Sequence, residues 1–194
     1  MTCEACRKAL EVEEDRVNSI NRALDQPCGC EGFSVSEHSP GPVRDDEVMH
    51  FLASLPNSRL ESGHINPQYL TQLDQDGLSV LRDGASDSEF KITLDQLMVH
   101  WKEREKSLEG VISFSAAQIR AAKDPRLCCI YDTGEKERPH HAELMTSDTA
   151  KCFPNVAANQ MKKAKKERLR EIMELIGNAF TPAKDFRGGK FLED

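Results

Sequence analysis

The sequence predicts an α+β fold: a small mixed sheet with several helices, an N-terminal Cys-bearing helix and a long basic C-terminal helix. Two short apolar runs bounded by turn residues, Leu78–Leu81 and Leu127–Tyr131, are typical of strands. Ser115 and Gln118 form a capping-box pair, which predicts that a helix begins there. The stretch 155–176 ends in apolar residues at helical spacing, so it predicts a long final helix.

The 194 residues are enough for one domain with an appendage, or for two small domains. Residues 28–44 are rich in Gly, Pro and Ser, which is typical of a boundary or a short loop. We therefore predict three parts. Residues 1–40 form an N-terminal helix with a Cys-rich loop, residues 41–180 form an α+β core that ends in the long helix, and residues 181–194 form a flexible tail.

The N-terminal helix is predicted from Glu4 to Asp25, because its apolar residues recur at spacings that place them on one stripe. The stripe consists of Leu10, Val17, Ile20 and Leu24. It is weakest between Glu13 and Asp15, where the helix could break into a hairpin.

The core is predicted element by element from periodicity, caps and turn residues. Its helices are expected at Asp45–Leu55, from Thr93 to Lys106, from Ser115 to Ala122, and from Asn155 to Ile176. Its strands are expected at Leu78–Leu81, Val111–Phe114, Leu127–Tyr131 and His141–Met145. The strand Leu127–Tyr131 is apolar throughout, which predicts a central position with both faces buried.

Four cysteines near the N-terminus, Cys3, Cys6, Cys28 and Cys30, form two close pairs and predict a structural zinc site. His38 is a further ligand candidate. A straight helix between the two pairs would hold them roughly 30 Å apart. Three arrangements would resolve this: a hairpin in the helix, a homodimer in which each pair meets the partner's other pair, or additional ligands such as Cys152. The alternative is that these are ordinary thiols.

A second candidate site lies close after the strand Leu127–Tyr131, where His140, His141 and Glu143 occur within four residues. Imidazoles and a carboxylate can move protons or bind a metal, and Arg126 could hold a phosphate. In an extended segment His141 and Glu143 share one face and His140 lies on the other. Ser79 and Arg82 at a strand end, and His64, are weaker additions. The alternative is a polar strand end with surface histidines.

A basic run lies at the start of the final helix, and its bases are Lys162, Lys163, Lys165, Lys166, Arg168 and Arg170. With one acid, Glu167, residues 161–170 carry a charge of +5 in a chain of net charge −7, so the remainder carries −12. We expect this half of the helix to project from the fold and to meet an acidic protein surface or a phosphate backbone. The alternative is a solvated helix supported by pairs such as Lys163 with Glu167.

These patterns favour a non-enzymatic interaction protein or accessory subunit that docks through its terminal helices. Phosphate-loop, dinucleotide, serine-hydrolase and zinc-protease motifs are absent from the sequence. One alternative is a small enzyme for a phosphate-bearing or nucleotide substrate that uses His140, His141, Glu143 and Arg126. Another is an accessory nucleic-acid-binding factor that uses the basic helix. An odd count of seven cysteines and the lack of a long apolar run predict a cytoplasmic protein that does not enter a membrane.

Overall fold

The computed structural model describes residues 4–12, 15–23, 28–55, 72–123, 126–147, 155–176 and 179–193. They form a six-stranded sheet in the order β4-β5-β2-β1-β3-β6, accompanied by helices. The α+β fold class is therefore confirmed. The predicted mixed sheet needs correction: every pair of neighbouring strands is antiparallel, so the sheet is purely antiparallel.

The strands are β1 (Val48–Leu55), β2 (Leu78–Arg82), β3 (Ser107–Ser115), β4 (Cys128–Asp132), β5 (His141–Thr146) and β6 (Phe180–Pro182). The α-helices are α1 (Glu4–Leu10), α2 (Arg16–Ala23), α3 (Asp87–Lys102), α4 (Ala116–Ala121) and α5 (Met161–Ile176). Short 3-10 helices lie at Ala158–Gln160 and Phe186–Leu192.

One side of the sheet, here called the apolar face, is covered by α4 and α5. Alternate residues of the strands point to this side, as the two-residue repeat of a strand requires. They meet Ile119 of α4 and Ile172 and Ile176 of α5 in one continuous core. The strand residues in that core are Met49, Phe51, Ala53, Leu78, Val80, Ile112, Phe114, Cys128, Ile130, Ala142 and Leu144.

The other side, here called the divided face, carries two separate apolar clusters. Over β4 and β5, residues of 4–35 pack on Cys129, Tyr131 and Met145. Over β1 and β3, α3 and the 3-10 segment Phe186–Leu192 pack on Leu52 and Val111. Polar side chains of β5 and β2 lie between the two clusters, and they form the site described below.

The N-terminal segment, defined as residues 4–35, is part of this packing. Its predicted single helix is two helices, α1 and α2, and the break falls where the apolar stripe is weakest. Asp15, just before α2, has a positive φ of 56°, a conformation that ends a regular helix. Because Cys6, Val17 and Ile20 are buried against the sheet, the segment shares a core with the region predicted as a separate part.

The helix predicted at Asp45–Leu55 is wrong: residues 48–55 form β1, which pairs with both β2 and β3. Its apolar residues fit a helical stripe, but a strand buried on both faces is apolar at nearly every position as well. Asp46 lies in the preceding turn, where its carboxylate accepts from Arg44 Nε at 3.0 Å. Both faces of β1 are covered, so the run of apolar residues reflects burial and not helical periodicity.

Two helix starts test the capping-box predictions. Ser115 and Gln118 cap α4 as predicted. The helix start predicted at Thr93 is wrong, because α3 begins earlier, at a reciprocal capping pair formed by Ser86 and Glu89. Glu89 is buried, and its carboxylate also accepts from the backbone N–H of His140 at 2.9 Å.

The predictions for the C-terminal region need correction. The basic run does form a helix, the 16-residue α5, but this helix is not the C-terminal element. Strand β6 follows and pairs with β3, and the chain then ends in a 3-10 turn. Phe186 and Phe191 are buried against Phe90 of α3, so these residues are packed and do not form the predicted tail.

Strand β4 is buried on both faces, as its apolar sequence predicts, but it lies at an edge of the sheet and not in the centre. The N-terminal segment covers this edge. Ser34 forms an isolated bridge with Asp132, and the Glu31 carboxylate accepts from the backbone N–H of Ile130 at 2.6 Å. An edge strand can therefore have the composition of a central one when another segment shields it.

Candidate functional site

His141 and Glu143 lie on β5 and point to the divided face, as the two-residue repeat predicts. Both side chains are buried. Glu143 is directly opposite Ser79 of β2 and Tyr131 of β4 in the register of the sheet. The sequence prediction that these two residues share a face therefore holds, and β5 places them between the two apolar clusters.

Both ring nitrogens of His141 contact hydroxyl groups. Nε2 lies 2.6 Å from Ser79 Oγ, and Nδ1 lies 2.8 Å from Thr133 Oγ1. Burial lowers the pKa of His141 to about 3, and the positive charges of Arg138 and Arg16 act in the same direction. The imidazole is therefore neutral at physiological pH, with one nitrogen as donor and the other as acceptor.

The Glu143 carboxylate forms an ion pair with Arg16, the first residue of α2, with 2.8 Å between Arg16 Nη1 and Glu143 Oε1. The Glu143 side chain is 4% exposed and the Arg16 side chain 27%. Burial raises the pKa of Glu143 to about 7, although the charge and the hydrogen bond of Arg16 oppose the shift. Glu143 Oε2 and Arg16 Nε are both buried without a hydrogen-bond partner within the described part of the chain.

These five residues, Arg16, Ser79, Thr133, His141 and Glu143, are called the polar cluster below. Two hydroxyls, a neutral imidazole and a carboxylate that titrates near neutrality can exchange protons with a bound molecule. In the sequence Ser79 is recognisable only as a strand-end residue, and no local pattern identifies Arg16 or Thr133. These residues meet because of the antiparallel register of β2, β4 and β5, which a single sequence does not reveal.

The other two residues of the predicted catalytic set lie elsewhere. His140 Nδ1 is 3.1 Å from Glu89 Oε1, so His140 belongs to the start of α3. Arg126 contacts Glu31 at the shielded edge of β4. The structure therefore brings together His141 and Glu143 but neither His140 nor Arg126. His64 lies outside the described residues.

A second buried histidine, His50 on β1, also points to the divided face. Its Nδ1 lies 2.9 Å from Ser113 Oγ and its Nε2 lies 3.3 Å from Asp83 Oδ1. Burial lowers the pKa of His50, while Asp83 raises it. The ring also packs against Phe90 and Phe186, so His50 is well explained as a core residue with both nitrogens satisfied.

The cysteines form two pairs that differ from the predicted set. Cys6 is bonded to Cys30, with 5.9 Å between their Cα atoms, and Cys28 is bonded to Cys129, with 5.2 Å. All four are buried. Cys3 and Cys152 lie outside the described residues. Cys129 was not predicted as a partner, because the neighbouring Cys128 is equally apolar and only the strand register decides which of the two faces the N-terminal segment.

Three groups near the second pair could hold a metal ion. The ligand atoms of Cys28, Glu31 and Cys129 all lie within 4.8 Å of one another. In the structure, however, Cys28 and Cys129 are at disulfide distance, and Glu31 already accepts from Arg120 Nε at 3.2 Å and contacts Arg126. The sulfur atoms of a disulfide are not thiolate ligands, and a carboxylate paired with two arginines is already neutralised, so these groups are poorly prepared to bind a dication.

The basic helix α5 packs on the apolar face through its second half, and its first half also has a buried side. Ala164, Arg168, Ile172 and Ile176 are buried at four-residue intervals. Lys162, Lys163, Lys166 and Arg170 are exposed, and Lys165 is half-buried. The bases are thus concentrated on the solvent side, which corrects the prediction of a projecting helix.

Arg168 has a structural role and is not available to a partner. Its guanidinium donates to the carbonyl oxygen of Ser147 at 2.8 Å and to Asp74 Oδ1 at 2.6 Å. The side chain is fully buried. The predicted partner-binding set therefore loses one member, because a cation at this position joins α5 to the end of β5.

No protein-family model, curated protein or solved structure matches the chain. Among the described residues, no helix is both long and apolar enough to cross a membrane.

Proposed function

We propose that the protein is a non-enzymatic interaction protein, an accessory subunit that binds an acidic protein surface through the exposed side of α5. The observation that supports this most directly is a row of three cations, Lys162, Lys166 and Arg170, here called the basic stripe. They are exposed and follow one another at four-residue intervals, so they lie along one line of the helix. None of the three pairs with a carboxylate of the described residues.

The rest of α5 explains how the stripe would be presented. Its opposite side is buried through Ala164, Ile172 and Ile176, so the helix is fixed before a partner arrives. A preorganised surface loses less conformational entropy on binding than a mobile one. Beside the stripe lies a cavity of about 250 Å³, which could receive a side chain of the partner. It is lined by Val156, Gln160, Lys163, Ala164 and Glu167.

Charge favours a protein over a nucleic acid as the partner. The chain has a net charge of −7, so most of its surface repels a polyanion of high charge density. Lys163 also forms an ion pair with Glu167, with 3.8 Å between Lys163 Nζ and Glu167 Oε1. Aromatic side chains on which bases could stack are absent from the exposed side of α5. Binding to nucleic acid is therefore the alternative that the following experiment can detect.

The test measures fluorescence anisotropy of a labelled polyglutamate peptide and of labelled DNA and RNA oligonucleotides, titrated with the purified protein. We expect the wild-type protein to bind polyglutamate at low salt, and reversal of the stripe (Lys162→Glu, Lys166→Glu, Arg170→Glu) to abolish binding. A matched variant reverses three exposed bases elsewhere: Lys102→Glu, Arg104→Glu, Lys190→Glu. This variant keeps the same net charge as the stripe variant, so it should retain binding if position matters.

Equal loss in the two variants would show attraction to net charge alone and would contradict a specific surface. Tighter binding of the oligonucleotides than of polyglutamate, lost in the stripe variant, would replace the protein partner with a nucleic acid.

An enzyme acting on a phosphate-bearing substrate is the second candidate, favoured by the 2.6 Å contact between Ser79 Oγ and His141 Nε2. A neutral histidine beside a hydroxyl is the arrangement in which a base activates a nucleophile. Such an enzyme would use Ser79, His141 and Glu143 without His140 and Arg126. Hydrolysis of p-nitrophenyl phosphate that disappears in both Ser79→Ala and His141→Ala would support it, and activity that survives in either variant would exclude this mechanism.

The cysteine pairs bear on where the protein works. Buried disulfides persist mainly outside the reducing cytosol, so the two pairs favour a non-reducing compartment over the predicted cytoplasmic one. Zinc stays a prediction: it would require both cysteines of the Cys28/Cys129 pair to be reduced. A homodimer likewise stays a prediction.

A further inference from the structure

The guanidinium of Arg16 contacts the Glu143 carboxylate from a separate element of the fold, as a bound ligand would. We propose that Glu143, with the hydroxyl-bound His141 beside it, is a binding site for a guanidinium group, and that Arg16 of the N-terminal segment fills this site from within the same chain. When Arg16 is withdrawn, the site accepts a guanidinium compound from solution. This inference is independent of the basic stripe.

The site is built into the sheet, whereas its occupant is not. Glu143 belongs to β5, which is hydrogen-bonded to β2 and β4 on its two sides. Arg16 is the first residue of the eight-residue α2, which lies on the divided face. Two hydrogen bonds hold the start of α2: Asp15 N donates to Asp76 Oδ1 at 3.1 Å, and Val17 N donates to the carbonyl oxygen of Gln75 at 2.9 Å. Val17 is buried, whereas the Arg16 side chain beside it is 27% exposed.

The fit between Arg16 and Glu143 is incomplete. One contact of 2.8 Å joins Nη1 to Oε1, while Nε and Oε2 are both buried without partners in the described residues. A guanidinium and a carboxylate can form two parallel hydrogen bonds when both are free to align. Arg16 forms one of these two bonds in the structure, and a guanidinium that aligns with both carboxylate oxygens would satisfy Oε2 as well.

The chemistry of the site selects a guanidinium over an ammonium. A planar guanidinium presents paired N–H groups that match the two carboxylate oxygens, and it is more weakly hydrated than an ammonium, so it loses less on burial. Because Glu143 is buried, its negative charge is costly unless a cation pairs with it and hydrogen bonds reach both carboxylate oxygens. One additional charge-assisted hydrogen bond corresponds to a preference of about tenfold in affinity.

The test uses the full-length variant Arg16→Ala and the probe ethylguanidinium, which replaces the missing end of the side chain. We expect the probe to raise the thermal unfolding midpoint of Arg16→Ala in proportion to its occupancy, with affinity about tenfold higher than that of ethylammonium. Blocked arginine, as N-acetyl-arginine methylamide, forms a second arm: binding of this compound as well would identify a peptide side chain as a ligand source.

Two controls decide the assignment. Arg22→Ala removes an exposed arginine of the same helix and should not respond to the probe. The double variant Arg16→Ala, Glu143→Gln should lose the response, because the carboxylate is gone. If Arg16→Ala does not fold alone, the readout becomes the recovery of folded protein when ethylguanidinium is added. Absence of both the midpoint shift and the recovery, or equal effects of ethylguanidinium and ethylammonium, would overturn the proposal.

Discussion

The two sides of the sheet are closed in different ways. The apolar face is covered by α4 and α5 through one continuous core. The strand residues that point to it are mostly hydrophobic, with buried polar residues at the strand ends: Arg82, Asp132 and Thr146. The divided face is covered by two separate layers, one of which is cross-linked by two disulfides, with the polar cluster between them. Both sides belong to the same strands, and their residues alternate along each one.

The two faces therefore differ in where their candidate functional residues lie: on the outer side of α5 for the apolar face, and between the strands and their cover for the divided face. Apolar packing closes most of the apolar face, together with buried polar contacts such as that of Arg168 with Asp74. The outer side of its helix α5 carries the basic stripe. The divided face buries charge and titrating groups, which normally costs stability and is compensated here by ion pairs and cross-links. Substitutions on the two sides should therefore respond differently to reductant and to pH.

The largest expected effect concerns the disulfide Cys28–Cys129, whose cysteines are 101 residues apart. Replacing both cysteines with alanine should lower the free energy of unfolding by about 4 kcal/mol, because the unfolded chain regains the freedom of a long loop. Replacing Cys6 and Cys30, which are 24 residues apart, should cost about 1 kcal/mol less. Urea unfolding under non-reducing conditions measures both. If dithiothreitol left wild-type stability unchanged, the divided face would not depend on its cross-links.

A smaller effect is expected on the apolar face from Ile172→Ala, which empties a fully buried position of α5. The free energy of unfolding should fall by about 3 kcal/mol. The exposed neighbour Lys166→Ala is the matched control and should change it by less than about 0.5 kcal/mol. The cost of Ile172→Ala should be the same with and without reductant. A cost that vanishes after reduction would mean that the two faces are not independent.

The smallest expected effect is the pH dependence of the wild-type protein between pH 4.5 and 6.5, where two groups of the polar cluster act in opposite directions. Burial raises the pKa of Glu143 from 4.5 to about 7, so the folded protein retains a proton that the unfolded chain releases, and stability falls as pH rises through that window. Burial lowers the pKa of His141 from 6.5 to about 3, so stability falls as pH decreases through that window. Between pH 4.5 and 6.5 the two slopes oppose each other.

Single variants should separate the two slopes. In Glu143→Gln the remaining histidine makes stability rise with pH up to 6.5, and in His141→Asn the remaining carboxylate makes it fall with pH up to about 7. Each slope is at most about 1.4 kcal/mol per pH unit. Urea unfolding at several pH values measures them. Parallel pH profiles in the two variants would contradict the assigned protonation states.

Local signals in the sequence predicted much of the fold. The apolar runs of β2 and β4, the capping box of α4 and the weak point of the N-terminal stripe are each encoded within a few residues. The shared face of His141 and Glu143 also follows from the two-residue repeat alone. These features do not depend on which elements become neighbours.

The errors arise where neighbours decide the outcome. A doubly buried strand and an amphipathic helix can have the same apolar pattern, which is why β1 was predicted as a helix. Arg168 resembles its exposed neighbours in sequence, and only its contacts with Asp74 and Ser147 explain its burial. Likewise, Cys129 and Arg16 acquire their partners through strand register and the position of α2, neither of which is a local property.

A cross-linked N-terminal segment covers the β4 and β5 half of the divided face, and peptide mapping can detect its two cross-links. The protein is purified and digested without reductant after its thiols are alkylated, and the peptides are identified by mass spectrometry. We predict linked peptides that join Cys6 to Cys30 and Cys28 to Cys129, with Cys128 in neither link. Alkylation of all four cysteines in the unfolded protein, together with stoichiometric zinc in the native protein, would contradict a disulfide-linked segment.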